Sequence, residues 1–200
     1  MATKNRIDLH PRTGDALLIV DVQNDFLPGG NLAVPHGDEV VTVLNRYLKL
    51  FEARTLPVYA TRDWHPEQHC SFREQGGLWP PHCVAGTRGA QFAAALQLPS
   101  SAVIISKAAT VEQDAYSGFQ GTSLDQQLRA ANIRRLFIGG LATDYCVLNT
   151  VRDALRLGYR VLLLGDAIRA VDVQPGDGLR AEAEMSKLGA QRITVEGVAA

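Results

Sequence analysis

A chain of 200 residues, 46% hydrophobic and 20% charged, fits one globular domain, and that length can bury about 70% of its unfolded surface. A net charge of −1 excludes a function built on electrostatic capture of nucleic acid or of an anionic membrane, and no apolar run approaches the roughly 20 residues of a spanning helix. Three cysteines are too few, and odd in number, for a disulfide framework. No hydrophobic signal segment follows residues 1–6, so the expectation is a cytoplasmic, reduced protein acting on a small molecule, as a monomer or a homo-oligomer.

Along the chain, short apolar runs alternate with amphipathic stretches. Residues 16–20 read as a first buried strand that ends at Asp21 in Asp21-Val-Gln-Asn-Asp-Phe26. Val40, Leu44, Tyr47, Leu48 and Phe51 keep helical spacing, and residues 57–61 form a second strand leading into Asp63-Trp-His65-Pro66. Residues 62–89 lack periodicity yet hold three histidines, both tryptophans and three prolines, which marks a functional loop and not a disordered one. A third strand at 102–105 ends in Ser106-Lys107. A helix with Leu124 and Leu128 follows behind Thr122-Ser123, and a fourth strand covers 136–138. Val147, Val151, Ala154 and Leu155 line a helix that ends at Gly158, and 161–164 is a fifth strand. A last helix runs from about Leu179 to Leu188, stopped by Gly189, before a weaker sixth strand at 191–195. Strand–helix alternation of this kind predicts an α/β fold, with a mostly parallel sheet covered on both faces. No repeat or linker divides the chain, so residues 1–200 are read as a single domain with its core at about 16–194.

In open α/β sheets ligands gather beyond the carboxyl ends of the strands. Here those ends carry Asp21, Asp63-Trp-His65, Lys107 and Cys146. Cys146 sits in Gly139-Gly-Leu-Ala-Thr-Asp-Tyr-Cys146, read as strand, tight turn, and a thiol on the first turn of a helix. Unpaired N–H groups and the partial positive charge of a helix start favour a thiolate and an adjacent oxyanion. Each residue has a plain structural explanation: packing for the cysteine, capping for the aspartate, a solvated strand end for the lysine. Convergence of all of them on one sheet edge favours chemistry. Aspartate can take the thiol proton and deliver it to a leaving amine, and lysine can keep the aspartate ionised. The N–H of Cys146 and one from the Leu141-Ala142 turn supply an oxyanion hole. These parts suit acyl transfer from an amide.

Asp63, His65 and the later His82, which stands in Trp79-Pro-Pro-His82-Cys83, make one carboxylate and two imidazoles, a donor set for one divalent metal ion. Zinc heads the candidates, with iron and manganese also suited. Ser71 and His69 lie close enough in sequence to be further ligands, although His69 reads as solvent-facing. Cys70 and Cys83 read as packing or incidental thiols. His10 and His36 read as surface residues, and Arg134-Arg135 as solvated surface at a strand entry.

Together, Asp21-Val-Gln-Asn-Asp-Phe26 with Pro28-Gly-Gly, Asp63-Trp-His65-Pro66, Trp79-Pro-Pro-His82-Cys83, Lys107, Tyr116-Ser-Gly-Phe119 and Gly140-Leu-Ala-Thr-Asp-Tyr-Cys146 resemble, in order and over about 16–194, the nicotinamidase/pyrazinamidase group of isochorismatase-like cysteine hydrolases. The resemblance implies a three-layer α/β/α fold with a six-stranded parallel sheet, and hydrolysis of nicotinamide to nicotinate and ammonia. It implies a triad on Asp21, Lys107 and Cys146, a non-proline cis peptide before Ala142, and an oxyanion hole from Ala142 and Cys146. It places the metal ligands on Asp63, His65 and His82, and the ring-binding aromatics on Phe26, Trp79 and Tyr116. A fourth ligand is left open among Glu67, His69, Ser71 and Glu74, and residues 108–115 leave the pocket rim unassigned.

Overall fold

All six expected strands form and pair in parallel in the order β3-β2-β1-β4-β5-β6. They are β1 (Asp15–Val20), β2 (Val58–Asp63), β3 (Val103–Lys107), β4 (Arg135–Leu141), β5 (Arg160–Arg169) and β6 (Gln191–Ile193). The coordinates are a computed structural model describing residues 9–199, so residues 1–6, read above for a signal segment, lie outside the described residues. Every residue of β1 and β4 is buried, which is why these runs, after Asp15 and Arg135 at their starts, are continuously apolar and do not alternate.

Because successive strand side chains point to opposite faces, β1 divides itself between two cores. Leu17 and Ile19, with Phe137, pack toward Leu44, Leu48 and Phe51 of α1 (Glu39–Glu52), joined by Val198 of α5 (Val195–Ala199). Leu18, with Leu136 and Ile138, packs toward the helices on the other face. Those are α2 (Leu124–Ala130), α3 (Leu148–Arg156) and α4 (Asp177–Leu188), through Leu128, Val151 and Met185. Among the described residues no helix is long and apolar enough to cross a membrane.

Two expectations need correction. The sixth strand stops at Ile193, because Val195 opens α5 and its N–H donates to the Asp166 carboxylate at 2.8 Å. Arg134 is exposed as expected, but Arg135 is buried, its guanidinium paired with Asp15 across the β1–β4 boundary (Nε to Oδ1, 2.9 Å).

The strand order reverses between β1 and β4, so the crevice of this sheet opens beyond the ends of those two strands. Gly140 makes that boundary possible. Its φ of +126° is hostile to a side chain, and a Cβ there would lie 2.0 Å from the Val20 carbonyl oxygen. Gly140→Ala is expected to cost about 2–6 kcal/mol, combining backbone strain of about 1–3 kcal/mol with overpacking of about 1–3 kcal/mol. Chemical denaturation measures it, and a loss below about 0.5 kcal/mol, the level of an ordinary surface substitution, would contradict this account.

Candidate active site

Asp21 is the first residue past β1 and is held at φ +49°, with its Oδ1 accepting from the Thr61 hydroxyl at 2.6 Å. Thr61 is the register partner of Val20, so strand pairing delivers this hydroxyl to Asp21. Asp63 and Lys107 close β2 and β3 and face each other in register. The Lys107 ammonium, on a fully buried side chain, lies 3.0 Å from Asp21 Oδ2 and donates to the Asp63 carboxylate. It also donates to the Ala115 carbonyl at 3.0 Å and stands 3.4 Å from Cys146 Sγ. The three triad candidates therefore meet around one ammonium.

Electrostatics assigns them distinct states. Burial works against the charge on Lys107, but Asp21, Asp63 and Cys146 together raise its pKa well above the ordinary lysine value, so it is a cation. Burial pushes the Asp21 carboxyl up, opposed by Lys107 and reinforced by Asp63. Burial likewise drives the Cys146 thiol well above its ordinary value; Lys107 opposes this, while Asp21 and Asp63 add to it. Burial thus opposes the help that a helix start and Lys107 give a thiolate, in keeping with an aspartate placed to take the thiol proton. The local structure differs from the expectation. Cys146 lies in a π-helical turn, Thr143–Val147, that runs into α3, whereas the Leu141–Ala142 bond is the non-proline cis peptide that the resemblance implies.

Asp63, His65 and His82 are all buried, and one ligand atom from each lies within 4.8 Å of the others. His65 Nδ1 is 2.9 Å from the His82 carbonyl, and His82 Nδ1 is 2.8 Å from the Pro80 carbonyl. Carbonyls only accept, so each Nδ1 carries the proton and each Nε2 offers a lone pair. Burial, reinforced by His82, lowers the His65 pKa to about 3, and burial lowers that of His82, so both rings are neutral at neutral pH. One carboxylate and two neutral imidazoles with anchored Nδ1–H groups fit a divalent metal.

His69 is fully buried, contrary to its reading as solvent-facing. Its Nε2 is 3.0 Å from the Gln113 carbonyl, and its Nδ1 is 2.8 Å from Ser71 Oγ, so both nitrogens are engaged. Glu67 and Glu74 are exposed. Ser71, by contrast, borders the cavity together with Asp63 and His82.

That cavity measures about 450 Å³, part of it open to solvent. Phe26, Trp79 and Tyr116 line it together with Ala142 and Cys146, as expected from sequence. The Trp79 indole donates to the Tyr116 hydroxyl at 3.0 Å, and the Phe26 ring lies 5.7 Å from that of His82. Sequence reasoning missed Leu32, Asp114, Tyr145 and Val171 on the same walls. It also missed Gln23, whose side-chain amide accepts from the Asp63 N–H (2.8 Å) and donates to the Asp63 carbonyl (2.8 Å) and to that of Ala90 (2.9 Å). Tyr145, beside Cys146, carried a usable signal. Leu32 and Val171 are indistinguishable from core residues in sequence.

A family model described as the isochorismatase domain matches residues 15–197. The chain belongs to the isochorismatase family. Among the relatives of this isochorismatase-family protein is a nicotinamidase of Escherichia coli K12, 43% identical over 201 residues that cover 90% of this chain and 94% of the relative. A pyrazinamidase of Pyrococcus horikoshii, solved in complex with zinc, superposes with a TM-score of 0.87 at 48% identity, covering 90% of this chain and 99% of that one. The L. infantum protein PnC1, solved in complex with nicotinate, superposes with a TM-score of 0.86 at 37% identity, covering 93% and 95%.

Proposed function

We propose that this protein hydrolyses nicotinamide to nicotinate and ammonia through a thioester on Cys146, and that it also hydrolyses pyrazinamide. One observation carries the reading: the thiol served by Asp21 and Lys107 opens into the same cavity as Asp63 and His82, whose donor set the buried His65 completes behind them. The names of the relatives, nicotinamidase and pyrazinamidase, support the same substrates.

Asp21 takes the proton from Cys146 Sγ as sulfur attacks the carboxamide carbon. The Lys107 cation, 3.4 Å from that sulfur, stabilises the charge it gains. The Ala142 and Cys146 N–H groups donate to the oxyanion, each worth about 100- to 1000-fold in rate. The tetrahedral adduct collapses, the C–N bond breaks, and Asp21 returns its proton to the departing ammonia. Asp21 then deprotonates a water, which adds to the thioester carbonyl, and breaking of the C–S bond releases nicotinate and restores the thiol. Phe26, Trp79 and Tyr116 confine the ring so that its carboxamide stays beside sulfur. A divalent metal held by Asp63, His65 and His82, with Ser71 as the fourth ligand, supplies a Lewis acid for the ring nitrogen when bound. Zinc is our assignment, supported by the zinc complex of the P. horikoshii pyrazinamidase; iron and manganese suit the same donors.

Chelation is expected to lower ammonia release from nicotinamide by at least about tenfold, and added zinc to restore it, because uncoupling the ring from its anchor removes orientation worth at least that much. Metal analysis of the purified protein and a coupled ammonia assay before and after chelation measure both. An unchanged rate in metal-free protein removes the metal from the reading. Turnover of an N-carbamoyl compound in place of nicotinamide removes the substrate.

A further inference from the structure

Asp144 stands two residues before Cys146, on the π-helical turn that carries the thiol. Its carboxylate reaches into a different segment: Oδ1 accepts from the Val171 N–H and Oδ2 from the Asp172 N–H, both at 2.9 Å. Two consecutive N–H groups converging on one anion form a small anion-binding concavity, and the left-handed backbone of Asp172 (φ +53°) belongs to that turn. Val171 borders the cavity beside Ala142, Tyr145 and Cys146. The segment 170–176 has no regular secondary structure of its own, so its place depends on such anchors. At its far side the Asp172 carboxylate accepts from the Gly178 N–H at 2.8 Å, tying it to the start of α4.

We infer that Asp144 is a positioning residue for substrate selection, which fastens the Val171 wall of the pocket to the turn bearing the nucleophile. One carboxylate then sets both the distance between wall and sulfur and the ring width that fits between them. This inference rests on the reading of the cavity as an aromatic-amide site. Val171 contributes a side chain at that wall and Asp144 only holds it, so their effects are coupled and not independent.

The test compares nicotinamide with the wider 5-methylnicotinamide in steady-state kinetics, alongside hydrogen–deuterium exchange over residues 170–176. Asp144→Ala is expected to raise KM for nicotinamide about tenfold with kcat within about twofold, and to cut the preference for nicotinamide over the methylated ring about fivefold. Val171→Ala should cut the preference similarly, and the double variant should be no worse than the larger single effect. Asp144→Asn, which keeps one acceptor oxygen but turns its NH2 group toward the second N–H, should raise KM by less than Asp144→Ala does. Exchange over 170–176 should accelerate in Asp144→Ala and stay unchanged over β1. An unchanged KM in a folded Asp144→Ala protein, or additive losses in the double variant, overturns the inference. If the parent protein fails to hydrolyse nicotinamide, the functional reading falls. Exchange and nicotinate titration in the same variants then decide the inference by themselves: unchanged exchange overturns it, and faster exchange with weaker nicotinate binding sustains it.

Discussion

Cys146→Ala is expected to abolish ammonia release from nicotinamide, lowering kcat by about 10⁴-fold or more, while the protein stays folded. The size follows from the chemistry, because without sulfur there is no thioester and the reaction must proceed by direct attack of water. The fold survives because Cys146 is one small side chain in an otherwise intact apolar cluster. Its removal also takes a buried polar group away from two carboxylates that hold its proton in place. Cys146→Ser keeps a hydroxyl and is expected to be almost as inactive, since serine beside a single carboxylate is a far weaker nucleophile than a thiol. A coupled ammonia assay with circular dichroism on the same samples checks both variants, and residual activity above about one tenth of the parent rate in Cys146→Ala would sink the thioester mechanism.

Lys107→Met is the second large effect and reaches stability as well as rate. The methionine stem fills the same space, but Asp21 and Asp63 are left as two buried carboxylates without their shared cation. Breaking a buried pair in this way typically costs about 3–5 kcal/mol. Activity should fall by about 10³-fold, because Asp21 is driven to its protonated form and can no longer accept the thiol proton. The pH dependence has a definite sign. Burial already raises the Asp21 carboxyl above its ordinary value and Lys107 opposes that rise, so losing Lys107 raises it further. A carboxyl with a higher folded than unfolded pKa binds more protons in the folded state between the two values, so its penalty grows as pH rises. The stability deficit of Lys107→Met is therefore expected to be larger at pH 8 than at pH 5. Denaturant midpoints at the two values, measured after chelation so that no metal replaces the ammonium beside Asp63, decide it. A deficit that is equal at both, or larger at pH 5, contradicts a role for Lys107 in opposing the rise of the Asp21 carboxyl.

The strands and the positions of the reactive residues were legible in sequence for a common reason. A parallel strand buried on both faces must be apolar throughout, so its end is marked by the first polar or special residue. In this chain β1 ends so at Asp21, whereas the apolar runs of β2 and β3 give way at Thr61 and Ser106, with Asp63 and Lys107 following within two residues. Long-range burial was not legible. His69 and Arg135 have the composition of surface residues and are buried only because Gln113, Ser71 and Asp15 come to meet them. The clamp of Gln23 on Asp63 spans 40 positions and leaves no local pattern. The pocket walls at Leu32 and Val171 come from segments whose apolar residues serve the core equally well in a one-dimensional reading.

By itself the sequence determined the α/β alternation, the set of strand ends and the residue types that could act there, because periodicity and residue chemistry are local properties. Only the tertiary structure decided that Cys146 is buried where desolvation raises its thiol and that Asp63 serves both the ammonium and the donor set. It also decided that His69 orients Ser71 with both of its own nitrogens engaged. Protonation states and ligand availability depend on desolvation and on partners tens of residues away, and those exist only once the chain has folded.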